Sequence, residues 1–367
     1  MAGFVIVATF TQAMLLLVHY VLFRFWVEQI AYLARHKVVF GAVLFVLSIS
    51  FTVSMILLRV VQNKITASFY AVSTIWLGMI LWLFFATLLC VLLLKIVPFW
   101  NLWWSVGVLL VAIGINVYGV YHGFDTKVMY QTIPVANLPA AWEGKRAVFF
   151  ADTHYGFIHT QTKARKDAQL IASLTPDAIF MAGDFFDGPI DDMNQFVTAY
   201  DTIVPSLGKY FVSGNHEAYA DLLKSVTALK KGNFTILDNE GVLRVAGMQI
   251  VGVPYTTNTG SDIDTQMTQS RLVGLSQSEP SIVLKHIPIG ISAITDANST
   301  FAFSGHTHNG QAWPFSLLVK KIYGKHAYGL STEGSSTFYT TSGVGSWGPP
   351  QRIGTQSEVL VVTFVKK

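Results

Sequence analysis

The sequence predicts two unlike parts: an all-α region of four transmembrane helices, followed by an α/β layered domain with mixed sheets. Three observations carry that reading. Apolar residues make up 52% of the 367 residues and charged residues only 13%, about half the charged share of an ordinary soluble domain. The apolar excess is confined to one end, since Glu28 is the only acidic residue ahead of Asp125. Beyond Asp125 the composition is that of a soluble enzyme, and short apolar runs alternate with amphipathic ones. The expected division is a transmembrane region at 1–124, a linker rich in Pro, Ala and Gly at 125–145, and a catalytic domain at 146–367.

Four apolar stretches cover residues 4–23, 38–58, 71–94 and 102–121. Each has about 20 residues without a charge, enough to cross a hydrocarbon core of about 30 Å as a helix. Trp26, Tyr32, Tyr70, Trp100, Trp103 and Tyr121 fall near the expected interfaces, where amphipathic rings are favoured. His19 is expected toward a helix end, at an interface. The first stretch lacks a basic leader and is too long for a secretory h-region, so it reads as a span. No Asp, Glu, Lys or Arg falls in mid-span, which favours an anchor over a conduction path. Arg24, Arg35 and Lys37 in the first loop, with Lys95 in the third, outnumber Arg59 and Lys64 in the second. Basic loops stay inside, so the catalytic domain is expected outside the cytoplasm, although Lys127 narrows the margin.

A formal charge of +4, with basic residues only in pairs such as Lys230-Lys231 and Lys320-Lys321, argues against a nucleic-acid partner. Cys90 is the only cysteine and lies in an apolar segment, which excludes an intrachain disulfide or a multi-thiolate site.

In the second part, strands are expected at 147–151, 178–182 and 209–212, with helices at 162–174, 193–203 and 218–230. From residue 234 the pattern turns to β, with runs at 234–237, 242–245, 249–253, 281–285, 301–304, 337–341 and 359–365. Ligands of α/β sheets gather on the loops after the strands. Those loops hold Asp152 and His154, then Gly183-Asp184 and Asp187, then Gly214-Asn215-His216-Glu217. His286 and the pair His306 and His308, after Gly305, come later. Singly, each is an ordinary cap, turn or surface residue. Together they bring carboxylates, an amide and imidazoles to one sheet edge. Such oxygen and nitrogen donors without thiolate suit Mn, Fe, Zn, Co or Ni better than Mg or Ca. The glycines before Asp184, Asn215 and His306 are expected to let the backbone turn sharply.

In their order D-x-H, G-D-x-x-D, G-N-H-[DE], a lone His and G-H-x-H, these blocks resemble the signature of the calcineurin-like metallophosphoesterases. The likeness is greatest to the membrane-associated bacterial branch, through Gly305–Gln311 and a Gly-rich segment ending Pro350-Gln-Arg352-Ile-Gly354. Asn309 departs from that branch's usual glycine. The resemblance implies a β-sandwich of mixed sheets flanked by helices, and two divalent metal ions. Asp152, His154 and His308 would hold one, Asn215, His286 and His306 the other, and Asp184 would bridge them. His216 would contact the phosphate and protonate the leaving group, while Asp187 and Glu217 would be structural. A water shared by the metals would then attack phosphorus. The implied protein is an integral bacterial inner-membrane phosphoesterase acting on a phosphodiester or pyrophosphate, with a lipid-linked substrate suggested by the tether and by the apolar segment 344–350. Alternatives are a broad phosphomonoesterase of soluble phosphates and a catalytically silent scaffold; loss of ligands would mark a scaffold, and every expected ligand is present.

Overall fold

The computed structural model describes residues 2–188, 190–256 and 261–367. It divides into two compact units. One comprises Met1–Tyr121 with Gly348–Gln351, the other His122–Trp347 with Arg352–Lys367.

The first unit is built from helices α1 (Ala2–Gln29), α2 (Ala31–Arg35), α3 (Lys37–Val60), α4 (Lys64–Ile96) and α5 (Leu102–Phe124). Among the described residues, four of these are long and apolar enough to cross a membrane: Thr9–Gln29, Lys37–Val60, Lys64–Ile96 and Leu102–Phe124. The chain is thus a membrane protein by its helices. Some polar side chains on the spans are satisfied within their own helix, as where the hydroxyls of Ser48, Ser50 and Ser54 donate to carbonyls three residues back. Two residues expected near an interface are packed against other helices. Trp26 is buried, and its indole N–H finds Thr87 Oγ1 at 3.1 Å. His19 is likewise buried. Its Nε2 accepts from Trp76 Nε1 at 3.0 Å and its Nδ1 lies 2.7 Å from the Leu15 carbonyl, so its polar atoms need no water.

The second unit begins with β1 (Thr126–Val135) and β2 (Arg146–Phe150), then α6 (Gln161–Ser173), β3 (Ala178–Ala182), α7 (Asn194–Val197) and β4 (Lys209–Val212). Next come α8 (Asn215–Ala220), α9 (Leu222–Lys231), β5 (Thr235–Ile236), β6 (Leu243–Val245), β7 (Met248–Val253), α10 (Ser261–Leu272) and β8 (Ser281–Lys285). The chain finishes with α11 (Ile291–Asp296), β9 (Phe301–Ser304), α12 (Phe315–Tyr323), β10 (Gly329–Glu333), β11 (Ser336–Thr340) and β12 (Ser357–Lys366). Among the described residues the strands form two mixed sheets, ordered β1-β12-β2-β3-β4-β5 and β10-β11-β9-β8-β7-β6.

Strand alternation sorts the core. Ala147, Phe149, Ala178 and Phe180 face Ile250, Ile282, Phe301 and Phe303 of the other sheet. Val148, Phe150, Ile179 and Met181 turn the other way, against Ala164 and Ile171 of α6 and Leu229 of α9. Phe149 stacks on Phe180 at 4.6 Å and meets Phe301 and Phe303 at 5.2 Å each, so it is the hinge-pin of the sandwich; its loss to Ala is worth about 3–5 kcal/mol.

Three of the expected segments take another form, and α10, α11, α12 and β10 had no counterpart in the expectation. The stretch read as a linker contains β1, a ten-residue edge strand running parallel to β12. The helix expected at 193–203 is only α7 and a 3-10 turn at Thr198–Tyr200, with Asp192 Oδ1 accepting from Asn194 N. The helix expected at 218–230 begins at Asn215 but breaks at Asp221, whose extended backbone and carboxylate cap Lys224 N at 2.9 Å and restart it as α9.

Candidate metal centre

β2, β3 and β4 run parallel, as do β7, β8 and β9, so the loops that leave their carboxyl ends share one edge of the sandwich. Backbone hydrogen bonds zip these loops together. Asp152 N donates to Gly183 O, His154 N to Asp184 O, and Gly305 N to His286 O, at 2.9–3.1 Å. Five of the expected ligands sit at left-handed backbone angles: Asp152 (φ 55), His154 (φ 46), Asp184 (φ 55), His306 (φ 68) and His308 (φ 48). Non-glycine residues adopt this region at a cost, and its clustering marks loops held by their surroundings for a purpose.

The side chains converge as two groups. In the first, His154 Nε2 and His308 Nε2 face each other at 3.1 Å, with Asp152 Oδ1 3.7 Å from His308 and 4.0 Å from His154. In the second, Asn215 Oδ1 lies 3.1 Å from His286 Nε2 and 3.0 Å from His306 Nδ1. Asp184 Oδ2 stands between them, 3.2 Å from His286 Nε2 and 3.8 Å from His154 Nε2. Asp152, His154 and His308 form one set close enough to hold an ion, and Asp184, His286 and His306 another. A third set substitutes His216 beside His154 and Asp184. All of the residues expected as ligands are therefore brought together.

Donor chemistry fits cations in these positions. His286 has its Nδ1 2.8 Å from the Ala182 carbonyl and turns its Nε2 toward Asp184 and Asn215; burial works against charge on this ring, but the Asp184 carboxylate beside it raises it to about 9, so it must give up a proton to hold a cation. Burial holds His154 and His308 well below the usual imidazole range, and with His286 nearby brings His306 to about 4. Three imidazoles are thus neutral and ready to donate lone pairs. Burial, reinforced by the Asp184 carboxylate, pushes Asp152 up to about 7. Two ring nitrogens and a carboxylate packed together without an intervening charge is an arrangement that a divalent cation would relieve.

Around these groups lies a supporting shell. Glu217 is fully buried, and its two oxygens accept from the backbone amides of Asp184, Phe185, Phe186 and Gly214 at 2.8–3.2 Å. Asp187 Oδ1 lies 3.2 Å from His216 Nδ1 and 3.8 Å from His154 Nδ1. Burial works against charge on His216, but the hydrogen bond to Asp187 and the nearby Asp184 carry it up to about 9. Of the glycines, Gly183 does turn left-handed (φ 82). Gly214 and Gly305 serve a different need, space: an added Cβ would stand 2.2 Å from Asp184 Oδ1 and 2.3 Å from Asp152 Oδ2 respectively. Arg352 belongs to the Pro350–Gly354 run, where the sequence alone gives it no role. It is fully buried with Nη2 3.2 Å from His308 Nδ1, and it binds the carbonyls of Ser342 and Gly345. Its signal was the Pro350-Gln-Arg352 run after a Gly-rich segment.

A mixed two-sheet sandwich with carboxylate, amide and imidazole donors gathered on its loop edge is the architecture of a metallophosphoesterase domain. Residues 145–310 match the model of the calcineurin-like phosphoesterase family. An uncharacterized metallophosphoesterase of Helicobacter pylori is 29% identical over 60% of this chain and 60% of its own. A transmembrane protein with metallophosphoesterase domain from Danio rerio is 27% identical over 70% of this chain and 61% of its own. The chain thus spans about 60% of the length of these relatives. Among solved structures, a dimetal phosphatase from Danio rerio aligns over 60% of this chain and 99% of its own, with 12% identity and a TM-score of 0.37.

Proposed function

We propose that this protein is a membrane-anchored, two-metal phosphoesterase that hydrolyses a phosphodiester or pyrophosphate bond, on a lipid-linked substrate. The observation that carries the reading is the position of Asp184, whose Oδ2 is within 3.8 Å of a ring nitrogen in each of the two donor groups. Asp152, His154 and His308 would hold one cation, Asn215, His286 and His306 the second, with Asp184 shared; Mn, Fe, Zn, Co or Ni suit these donors. When bound, the pair supplies a water acidic near neutral pH and neutralises charge on the phosphoryl group.

The chain's own residues do the rest. Glu217 clamps the Asp184 and Asn215 loops so that both side chains point inward. His216, protonated because Asp187 faces its Nδ1, donates to a phosphate oxygen or gives its proton to the departing oxygen. The substrate class is supported by the tether. The greater number of basic residues in the first and third loops supports a catalytic domain on the outer face of a bacterial inner membrane.

The test uses the full-length protein in detergent. Metal content is measured on the purified protein, and hydrolysis of bis-p-nitrophenyl phosphate is compared with that of p-nitrophenyl phosphate. Bound first-row metal with faster diester cleavage is expected. Unchanged turnover after complete metal removal would sink the reading.

A further inference from the structure

Helix α12 follows the His306–His308 loop directly and buries none of its residues. Its inner face is Ser316, Val319 and Tyr323, and the Tyr323 ring lies 6.4 Å from that of His306, which fixes the helix at the rim of the metal centre. Its outer face is apolar. Leu318 and Ile322, one turn apart, are 54% and 62% exposed, and Leu317 is 61% exposed. Two tryptophans flank it, Trp313 at 53% and Trp347 at 62% exposure. They are tied together, because the Gln311 side chain donates to Trp347 O at 3.0 Å and accepts from Trp347 N at 2.8 Å, while Trp313 N donates to Ile353 O. Monomeric soluble surfaces seldom gather so many large apolar groups in one place.

Charge says what covers this face. Lys320 and Lys321 are exposed on the same helix, and no ion pair involves them among the described residues. The sequence carries no acidic residue between Asp296 and Glu333. Large apolar side chains, tryptophans at the margin and lysines beside them are the composition of a helix that lies in a bilayer interface against anionic headgroups. Lipid is also the one partner this chain must meet, since it carries four candidate spans.

We propose that α12, with Trp313 and Trp347, is a lipid-docking surface that seats the rim of the metal centre in the headgroup layer, so that the substrate is an amphiphile whose phosphoester enters from the membrane surface. This rests on the phosphoesterase reading, and the test separates the two. Cys90→Ser removes the only native thiol, after which Leu318→Cys carries an environment-sensitive fluorophore in the full-length protein. The protein is placed, one copy per disc, in nanodiscs of phosphatidylcholine with and without phosphatidylglycerol. A blue-shifted emission, quenched by headgroup-level nitroxide lipid and strengthened by phosphatidylglycerol, is expected, while the same label at exposed Val204→Cys stays in water. A Leu318 label as wet as the Val204 label, or one blue-shifted without nitroxide quenching as a protein contact would be, overturns the proposal. In a second arm, Leu318→Glu with Ile322→Glu should slow a long-chain phosphoester in vesicles by about tenfold or more and leave bis-p-nitrophenyl phosphate unchanged. Equal turnover of the vesicle substrate overturns the docking surface. The soluble ester reports on the phosphoesterase reading by itself.

Discussion

His216 is held by one partner, and that makes its proton the most accessible variable in the site. With the Asp187 carboxylate 3.2 Å from Nδ1, the imidazole is charged up to about pH 9. The rate should then fall on the alkaline side, because raising the pH through that value removes the proton the leaving group needs. Asp187→Asn deletes the charge that favours the imidazolium, so the alkaline limb should move to lower pH; a limb that stays in place would remove Asp187 from this role. His216→Ala should cost about a hundredfold or more in turnover with metal content unchanged by elemental analysis. Glu217 makes a different prediction. Its two oxygens serve four backbone amides, and Glu217→Gln presents an NH2 group to N–H donors that need an acceptor. Leaving those amides unpaired in a buried site should cost about 3 kcal/mol, read as a lower denaturant midpoint with an unchanged m-value.

At the scale of elements, legibility followed burial. Ala178–Ala182, Lys209–Val212, Ser281–Lys285 and Phe301–Ser304 are strands at the expected residues, because central parallel strands buried on both faces read as unbroken apolar runs. β1 was hidden because an edge strand, TKVMYQTIPV, carries polar residues on its open side and sits beside prolines and glycines that suggest a linker. α10 was hidden because SDIDTQMTQSRL has no clear apolar face. The residues of the metal centre were legible because each follows a strand in a short block, and Asp184, Asn215 and His306 each have a glycine just before them. Arg352 was not, since its contact with His308 spans 44 residues that no local pattern links. The same distinction governs the glycines, whose place was evident from sequence but whose reason at Gly214 was not. Because β4 and α8 carry that residue against Asp184, Gly214→Ala should displace the carboxylate that stands between the two donor groups. Metal loss and inactivity together are expected, with the sandwich still folded by far-UV circular dichroism; a variant that keeps its metal would show that the loop yields instead.

For the whole molecule, the two compact units draw on different sources of stability, and metal should act on only one of them. In the first unit the helices bury residues such as Leu22, Trp26, Ile80, Leu83 and Cys90, with no cluster of ionisable donors among its described residues. In the second, the loop edge gathers a buried Asp152 pushed up to about 7, neutral imidazoles and strained backbone, all of which cost folding energy while no cation is bound. Cations that bind the folded centre and not the unfolded chain add stability by mass action, about 2.7 kcal/mol at a hundredfold excess over Kd. For a domain of this size that amounts to roughly 5–10 °C in Tm. Calorimetry of the full-length protein in detergent, with metal and then with chelator, should therefore show a transition that drops by that amount beside a helical transition that does not move. Sign matters as well as size: protonation competes with the metal, since Asp152 must give up its proton to become a ligand, so the stabilisation should shrink as the pH falls below about 7. A chelator that leaves both transitions in place would mean that the donor set at the carboxyl ends of β2, β3, β4, β8 and β9 holds no cation of consequence, and the phosphoesterase reading would fall with it.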